Sequence, residues 1–387
     1  MCLLVPALVV AQRRPSVAVT LLPFGASPKA LVRVALTMDD DCGWRPVLAH
    51  AFERAGRPFA DSLAHMGGAF AVTTRPGRID LTADVLSPFA PAAIAILAGV
   101  VRSRYSDLGA EPAVPPSNLD STAAATFQDA LFPVTQSGSC SGGPPAIGPQ
   151  ATRVIIVGRF ETPLVQQAII TAFAHWLSLG TAVPRTAHDP VGPSLTFVHR
   201  AGAKQVALVV GAPTPGPADS DFARLRVMNT VLGGGVFSRI TRNIREAKGY
   251  AYAPASVLVT APSGTTYWTE TADVAANVAE PALSEIIAEI TRLGAAAPDT
   301  TEVSGAERYL VGRSLFDLST RLGQADAAEL GITTRDSPPS TGEDVRRVAH
   351  TYLAPQRLTI VVVGDTLALG PQLAAMRKAV STFLAPE

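Results

Sequence analysis

Two stretches of this 387-residue chain read as the same local design. Residues 153–158 (RVIIVG) and 358–364 (LTIVVVG) are β-branched apolar runs that stop at a glycine and pass into helical sequence. Runs of this kind suit strands buried on both faces. Gly68 followed by AFAVTT and Gly249 followed by YAYAPAS each open a hairpin-like pair of strands. Corresponding pieces lie about 200 residues apart, far beyond the roughly 20–50-residue period of a solenoid. The repeat therefore predicts two homologous domains, which the length also accommodates at about 100–200 residues each.

The elements between these landmarks follow from periodicity and punctuation. Residues 16–25 and 30–38 read as strands. Residues 44–56 read as a helix, with Val47, Leu48, Ala51 and Phe52 at helical spacing, and 59–65 as a second helical piece. Strands 69–74 and 79–86 pair across Pro76-Gly77. Helices follow at 91–102 and 122–131, then a Ser/Gly/Pro-rich stretch at 134–150. Strand 153–158 leads into a helix over 162–179 with Pro163 in its first turn. The second half offers strand 204–210, helices 219–233 and 237–248, and strands 250–260 and 265–271. Helices 280–293, 302–318 and 343–353, strand 358–364 and a terminal helix complete it. Strand runs mixed with helix pairs predict an α+β fold, each domain a mostly antiparallel sheet packed with helices. The Pro-rich stretch TAVPRTAHDPVGPS sets the expected division: an N-terminal domain at 1–182, a linker at 183–194 and a C-terminal domain at 195–387.

Composition narrows the function classes. Lys+Arg and Asp+Glu both total 32, so no net charge draws the chain to nucleic acid or an anionic membrane. Three cysteines make no disulfide framework. The six histidines are all more than five positions apart, which excludes zinc held on a local histidine pair. The longest uncharged apolar run, 85–101, is shorter than the ~18–20 residues of a membrane span and is interrupted by Pro88 and Pro91. The N-terminal MCLLVPALVVAQRR lacks a basic start, yet Val9-x-Ala11 suits a signal-peptidase site. Residues 1–11 read either as a truncated signal peptide or as a first strand. The expected compartment is periplasmic or secreted, with cytoplasmic as the alternative.

The most informative segment is NTVLGGGVFSRITRNIREAKGYAY, residues 229–252. No GK[ST] follows its glycines, so they do not form a phosphate loop and read instead as a tight helix–helix turn. This segment resembles the C-terminal-domain signature of the pitrilysin/insulinase family of zinc peptidases, which includes the mitochondrial processing peptidase. The likeness continues through 280–293 and 353–365 and, more weakly, through 31–86. It implies a bilobed metallopeptidase fold of the pitrilysin type.

The same resemblance implies zinc on an inverted HxxEH motif in the first domain. Two imidazoles at i and i+4 share a helix face, and the intervening Glu is the general base. The matching stretch is LAHAFERAG: His50 stands at the first ligand, Glu53 at the base, and Arg54 where the second His belongs. Arginine stays protonated and has no lone pair for a metal. Glu111 is the candidate vestigial third ligand. The expectation is thus a degenerate site with no metal in this chain. His50 and Glu53 are read as an exposed or half-buried helix pair, with Glu53 or a neighbour pairing Arg54.

Related enzymes use an Arg and a Tyr of the C-terminal domain at the substrate cleft, and by resemblance these are Arg245 and Tyr252. Arg245 is expected at a helix end and Tyr252 on the following strand, so that both face one cleft. The alternative is a surface ion pair for Arg245 and sheet packing for Tyr252. The leading functional expectation is a non-catalytic subunit whose partner, a zinc-bearing homologue, forms a heterodimer with it to act on peptide substrates. The alternatives are an active zinc metalloendopeptidase with altered ligands and a structural or binding homodimer without a proteolytic role. His175, Trp176, Tyr267 and Trp268 read as core, His65 as a helix end, and Asp39, Asp40 and Asp41 as a solvated turn.

Overall fold

The computed structural model describes residues 17–38, 44–103, 118–131, 147–174, 176, 194–260, 266–330 and 339–382. Contacts divide these into two units: residues up to 103 with 147–176, and 118–131 with 194–382.

In the first unit, strands β1 (Ala18–Pro23), β2 (Lys29–Thr37), β3 (Phe70–Arg75), β4 (Arg78–Leu86) and β5 (Thr152–Gly158) form one sheet in the order β1-β5-β2-β4-β3. β1 runs parallel to β5, with Ala18 opposite Arg153, and every other pairing is antiparallel. Helices α1 (Trp44–Gly56), α2 (Ala60–His65), α3 (Ala90–Arg102) and α5 (Thr162–Phe173) belong to the same unit. Leu48, Phe52, Ile94, Leu97, Val165 and Ile169 from these helices pack on Val32, Val34, Leu81 and Ile156 of the sheet. Gly77, at φ +67°, makes the tight β3–β4 connection that a side chain would strain.

The second unit repeats that arrangement. Strands β6 (Ser194–His199), β7 (Gln205–Thr214), β8 (Ala255–Thr260), β9 (Thr266–Ala275) and β10 (Thr359–Gly364) pair in the order β6-β10-β7-β9-β8. β6 again lies parallel to its neighbour, with Ser194 opposite Thr359, and the rest are antiparallel. Strand for strand, the two sheets have one topology, so the duplication visible in the sequence is a duplication of fold. One face of the second sheet carries α6 (Phe222–Asn229), α7 (Ala279–Ala295), α10 (Gly342–Tyr352) and α12 (Gln372–Thr382), with α8 (Thr300–Leu318), α9 (Arg321–Leu330) and α11 (Thr366–Leu369) completing the unit. α7 buries Leu283, Ile286, Ile287 and Ile290, one stripe at helical spacing. α10 starts on a capping box in which Thr341 Oγ1 accepts from the Asp344 amide at 3.1 Å and Asp344 accepts from the Thr341 amide at 2.9 Å.

The opposite face of this second sheet is covered by α4 (Leu119–Leu131), which starts on Asn118, whose side chain accepts from the Ser121 amide at 2.7 Å. Ala123, Phe127 and Leu131 pack on Ala207, Val209, Tyr267, Val361 and Val363. Gly211 of β7 makes this possible: a Cβ there would run into the Phe127 ring and the Trp268 carbonyl. Sequence order placed this helix within 1–182, but its packing belongs with the second unit.

Several expectations need correction. Neither β6, which apart from Ser194 falls inside the expected C-terminal domain, nor α9 was anticipated. The helix expected at 162–179 is observed over Thr162–Phe173. Residues 1–16, Asp39, Asp40, Asp41, Glu111, His175 and most of the 183–194 linker lie outside the described residues.

Candidate functional site

α1 buries Leu48, Ala49, Ala51 and Phe52 against the sheet, which turns His50, Glu53 and Arg54 outward. His50 Nδ1 lies 3.7 Å from Glu53 Oε2, with the two side chains 61% and 51% exposed. Glu53 is therefore paired with His50, a solvated i,i+3 contact of small energetic weight. Arg54, one turn from His50, occupies the helix face on which a second imidazole would have to stand. One imidazole beside a guanidinium does not make a zinc donor set. Among the described residues no group of three His, Cys, Asp or Glu side chains could hold a metal ion. The described residues therefore do not fit the zinc that the resemblance implies.

Beside this degenerate motif is a cleft of about 510 Å³ lined by Glu53, Gly56, Arg57, Ala64, Phe70 and Val72. Its floor is β3, the edge strand of the first sheet. Gly56 closes α1 without a side chain because a Cβ there would overlap the Phe70 ring.

The second unit carries the other set of expected residues. The chain leaves α6 through a π-wound turn, Thr230–Gly234, passes Gly235 to Phe237, and re-enters a helix whose π-wound part is Thr241–Ala247. Charged clamps fix that helix. Arg239 donates from Nε and Nη2 to the two Glu302 oxygens at 3.0 and 2.6 Å, and Arg242 adds a bond at 3.2 Å. The Arg239 guanidinium holds the Glu302 carboxyl below the usual carboxylate range. Asn243 donates to Glu285 at 2.9 Å and to Glu289 at 2.6 Å, while Lys248 pairs with Glu285. Lys248, then Asn243, keep Glu285 low as well.

With those side chains tied to α7 and α8, Arg245 points elsewhere. Its guanidinium carbon stands 5.5 Å from the centre of the Tyr252 ring, and its Nε lies 3.2 Å from Glu246 Oε1. Gly249, at φ +64°, ends the helix, and the Tyr250 amide donates back to the Ile244 carbonyl at 2.7 Å. Tyr252 is 85% exposed. It does not lie on a strand as expected: β8 starts at Ala255, and only Ala251 forms an isolated bridge, to Val274. Pro254 has no amide to give a ladder, so the segment before it bends. The bend still brings Tyr252 to Arg245. Val236 and Phe237 of the glycine turn are also exposed, Phe237 at 86%.

One residue here was not singled out from the sequence. Glu270 of β9 is fully buried, and neither carboxyl oxygen has a hydrogen-bond partner among the described residues. Burial pushes its carboxyl well above the ordinary range. The available signal was a charge at the period-2 positions Trp268, Glu270, Ala272 and Val274 of a strand whose other members there are apolar. Trp268 and Tyr267 are core, as expected: Trp268 Nε1 donates to Asn229 Oδ1 at 2.9 Å, and the Tyr267 ring meets Phe127 at a tilt of 52° with centres 5.8 Å apart. His65 ends α2 with Nδ1 2.7 Å from the Asp61 carbonyl.

The duplicated five-stranded α+β unit and the Arg–Tyr pair after a glycine turn resemble the pitrilysin/insulinase peptidases, with arginine where their HxxEH motif has its second histidine. More particularly, residues 147–310 match the Peptidase M16 inactive domain. An uncharacterized zinc protease of Mycobacterium leprae (strain TN) is 31% identical over 173 residues, 42% of this chain and 38% of that protein. The match thus spans well under half the length of that relative. The crystal structure of a peptidase M16 inactive domain from Pseudomonas fluorescens superposes with TM-score 0.72 at 16% identity, over 91% of this chain and 97% of that one. A protease from Helicobacter pylori gives TM-score 0.73 at 15% identity, over 90% and 97%. At these identities the structural likeness speaks for the fold.

Proposed function

We propose that this chain is the non-catalytic subunit of a heterodimeric pitrilysin-type peptidase. A zinc-bearing homologue supplies the metal centre, and this chain holds the peptide and supports the charge that develops on it. The observation that carries the reading is a contrast between two surfaces. On α1 the zinc face is occupied by Arg54, while on the second unit Arg245 and Tyr252 stand together at the surface. A guanidinium fork and a phenolic hydroxyl offer donors to a peptide carbonyl and to the oxyanion formed from it by attack in the partner's centre. The Tyr252 ring restricts where the Arg245 fork can point, which lowers the cost of ordering it on the substrate. The cleft beside β3 supports the same reading, because an edge strand presents backbone groups to which an extended peptide can add.

The test is cleavage of a quenched fluorescent peptide by this chain alone, by a zinc-bearing homologue alone, and by the mixture. Activity is expected only in the mixture, abolished by a chelator and reduced at least about tenfold by Arg245→Ala or Tyr252→Phe. Chelator-sensitive cleavage by this chain alone would instead make it a zinc endopeptidase with altered ligands. Undiminished activity in both variants would leave it a structural or binding partner.

A further inference from the structure

Beneath the glycine turn lies an acid for which the proposed peptide-holding role has no use. Glu270 sits opposite Ser256 of β8 and Val210 of β7, under the π-wound turn. A Cβ on Gly233 would overlap Glu270 Oε2 and stand 2.6 Å from Ser256 Oγ, so this glycine is the lid over the carboxyl.

The side-chain donors around it are committed to another acceptor. Ser256 Oγ donates to Asn229 Oδ1 at 2.8 Å and Trp268 Nε1 to the same oxygen at 2.9 Å. Asn229 Nδ2 donates to the Ser256 carbonyl at 3.4 Å. No described charge faces Glu270 from the packed elements. β7 brings Val210, β8 brings Ser256, the turn brings Gly233 and α6 brings Asn229. Arg226, a cation of α6, donates instead to Ser314 Oγ of α8 at 3.4 Å. α7 presents Leu283, Ile286 and Ile290, and its buried acid Glu289 is held by Asn243 and Arg292. The environment therefore tolerates a neutral carboxyl and penalises an ionised one.

One element in contact with Glu270 is the π-wound turn above it. π winding is rare and concentrates at functional sites. Gly233, Gly234 and Gly235 give this one more backbone freedom than any other residue would. Its amides are backbone donors that could turn toward a carboxylate.

We propose that Glu270 is a proton-operated latch on the Gly233–Gly235 turn. Protonated, it packs flat beneath Gly233. Once its proton has passed to solvent, the turn rewinds to aim backbone N–H groups at the carboxylate, and Val236 and Phe237 move with it. The inference goes beyond the peptide-holding reading and stands whether or not a catalytic partner exists.

Amide hydrogen exchange of the full chain, corrected for intrinsic rates, tests it. Between about pH 5.5 and pH 9, protection over residues 230–238 should change by about tenfold or more while α7 stays constant. Glu270→Gln should hold the low-pH pattern throughout. Glu270→Met, of similar length and without charge, should behave alike if the Gln variant folds poorly. A wild-type pattern that does not move with pH, or one that moves equally in the variants, overturns the latch.

Discussion

The Arg245 guanidinium lies over the face of the Tyr252 ring, 5.5 Å from its centre, although the two are seven positions apart in sequence with the left-handed Gly249 between them. Helix end, Gly249 and the bend before Pro254 combine to bring them together. Both side chains are solvated, so neither contributes much to folding. Tyr252→Ala should change stability by less than about 1 kcal/mol. The same change should lower kcat/KM of the mixed peptidase by about 10–100-fold if the pair contacts substrate. Paired measurements of Tm and kcat/KM decide it, and equal losses in both would point to a structural role alone.

Arg54 is the single side chain that most clearly separates α1 from a zinc-binding helix. Arg54→His would place two imidazoles one turn apart on one face with Glu53 between them. Zinc affinity should rise at least about tenfold over wild type, that is by more than about 1.4 kcal/mol. Titration with a zinc indicator measures both proteins, and tight zinc binding by the wild-type chain would contradict the division of labour proposed for it.

The seat of α4 on the second sheet should respond to pH. Asp273 of β9 is raised to about 6, first by burial, then by its hydrogen bond with the Asp120 carboxyl of α4 and by repulsion from it. Because the folded value lies above the ordinary 3.8, this contribution is fully present below about pH 3.8 and is lost as pH rises through about 6. The group is partly exposed, so solvent screening reduces the effect to less than about 1 kcal/mol. Asp273→Asn should raise Tm at pH 7.5 and flatten the change in stability between pH 4.5 and 7.5. A steeper dependence in the variant would count against the shared proton.

The Phe127 ring and the bare Gly211 fit each other, and either can be spoiled alone. Phe127→Ala should cost about 3–5 kcal/mol through the cavity it leaves. Gly211→Ala should cost about 1–3 kcal/mol through overpacking against the ring and the Trp268 carbonyl. Urea unfolding followed by Trp fluorescence measures both. Near-neutral results would mean that α4 is not seated on β7 in solution.

The duplication was legible because β5 and β10 are buried on both faces and so read as unbroken apolar runs. α1 announced itself by helical spacing, and Arg54 by its chemistry. β6 escaped notice because SLTFVH follows a Pro-rich stretch and its partner β10 lies some 160 residues away, beyond any local signal. The bend at Tyr252 was hidden by apolar residues that look like strand on either side of Pro254. Glu270 was hidden because a lone acid in an otherwise ordinary strand pattern is normally solvated. Its apolar period-2 neighbours hint at an inward face, and packing establishes it.

The helix that roofs the second sheet is encoded ahead of the strands it protects, so the gene has no single scissile point between its halves. A fragment begun at the Pro-rich stretch would own all five strands yet leave Ala207, Val209, Val361 and Val363 wet along one side. Such a truncation is a recipe for self-association. A cut upstream of Asn118 would spare that roof but strip β5 and α5 from the first unit, so neither half stands alone.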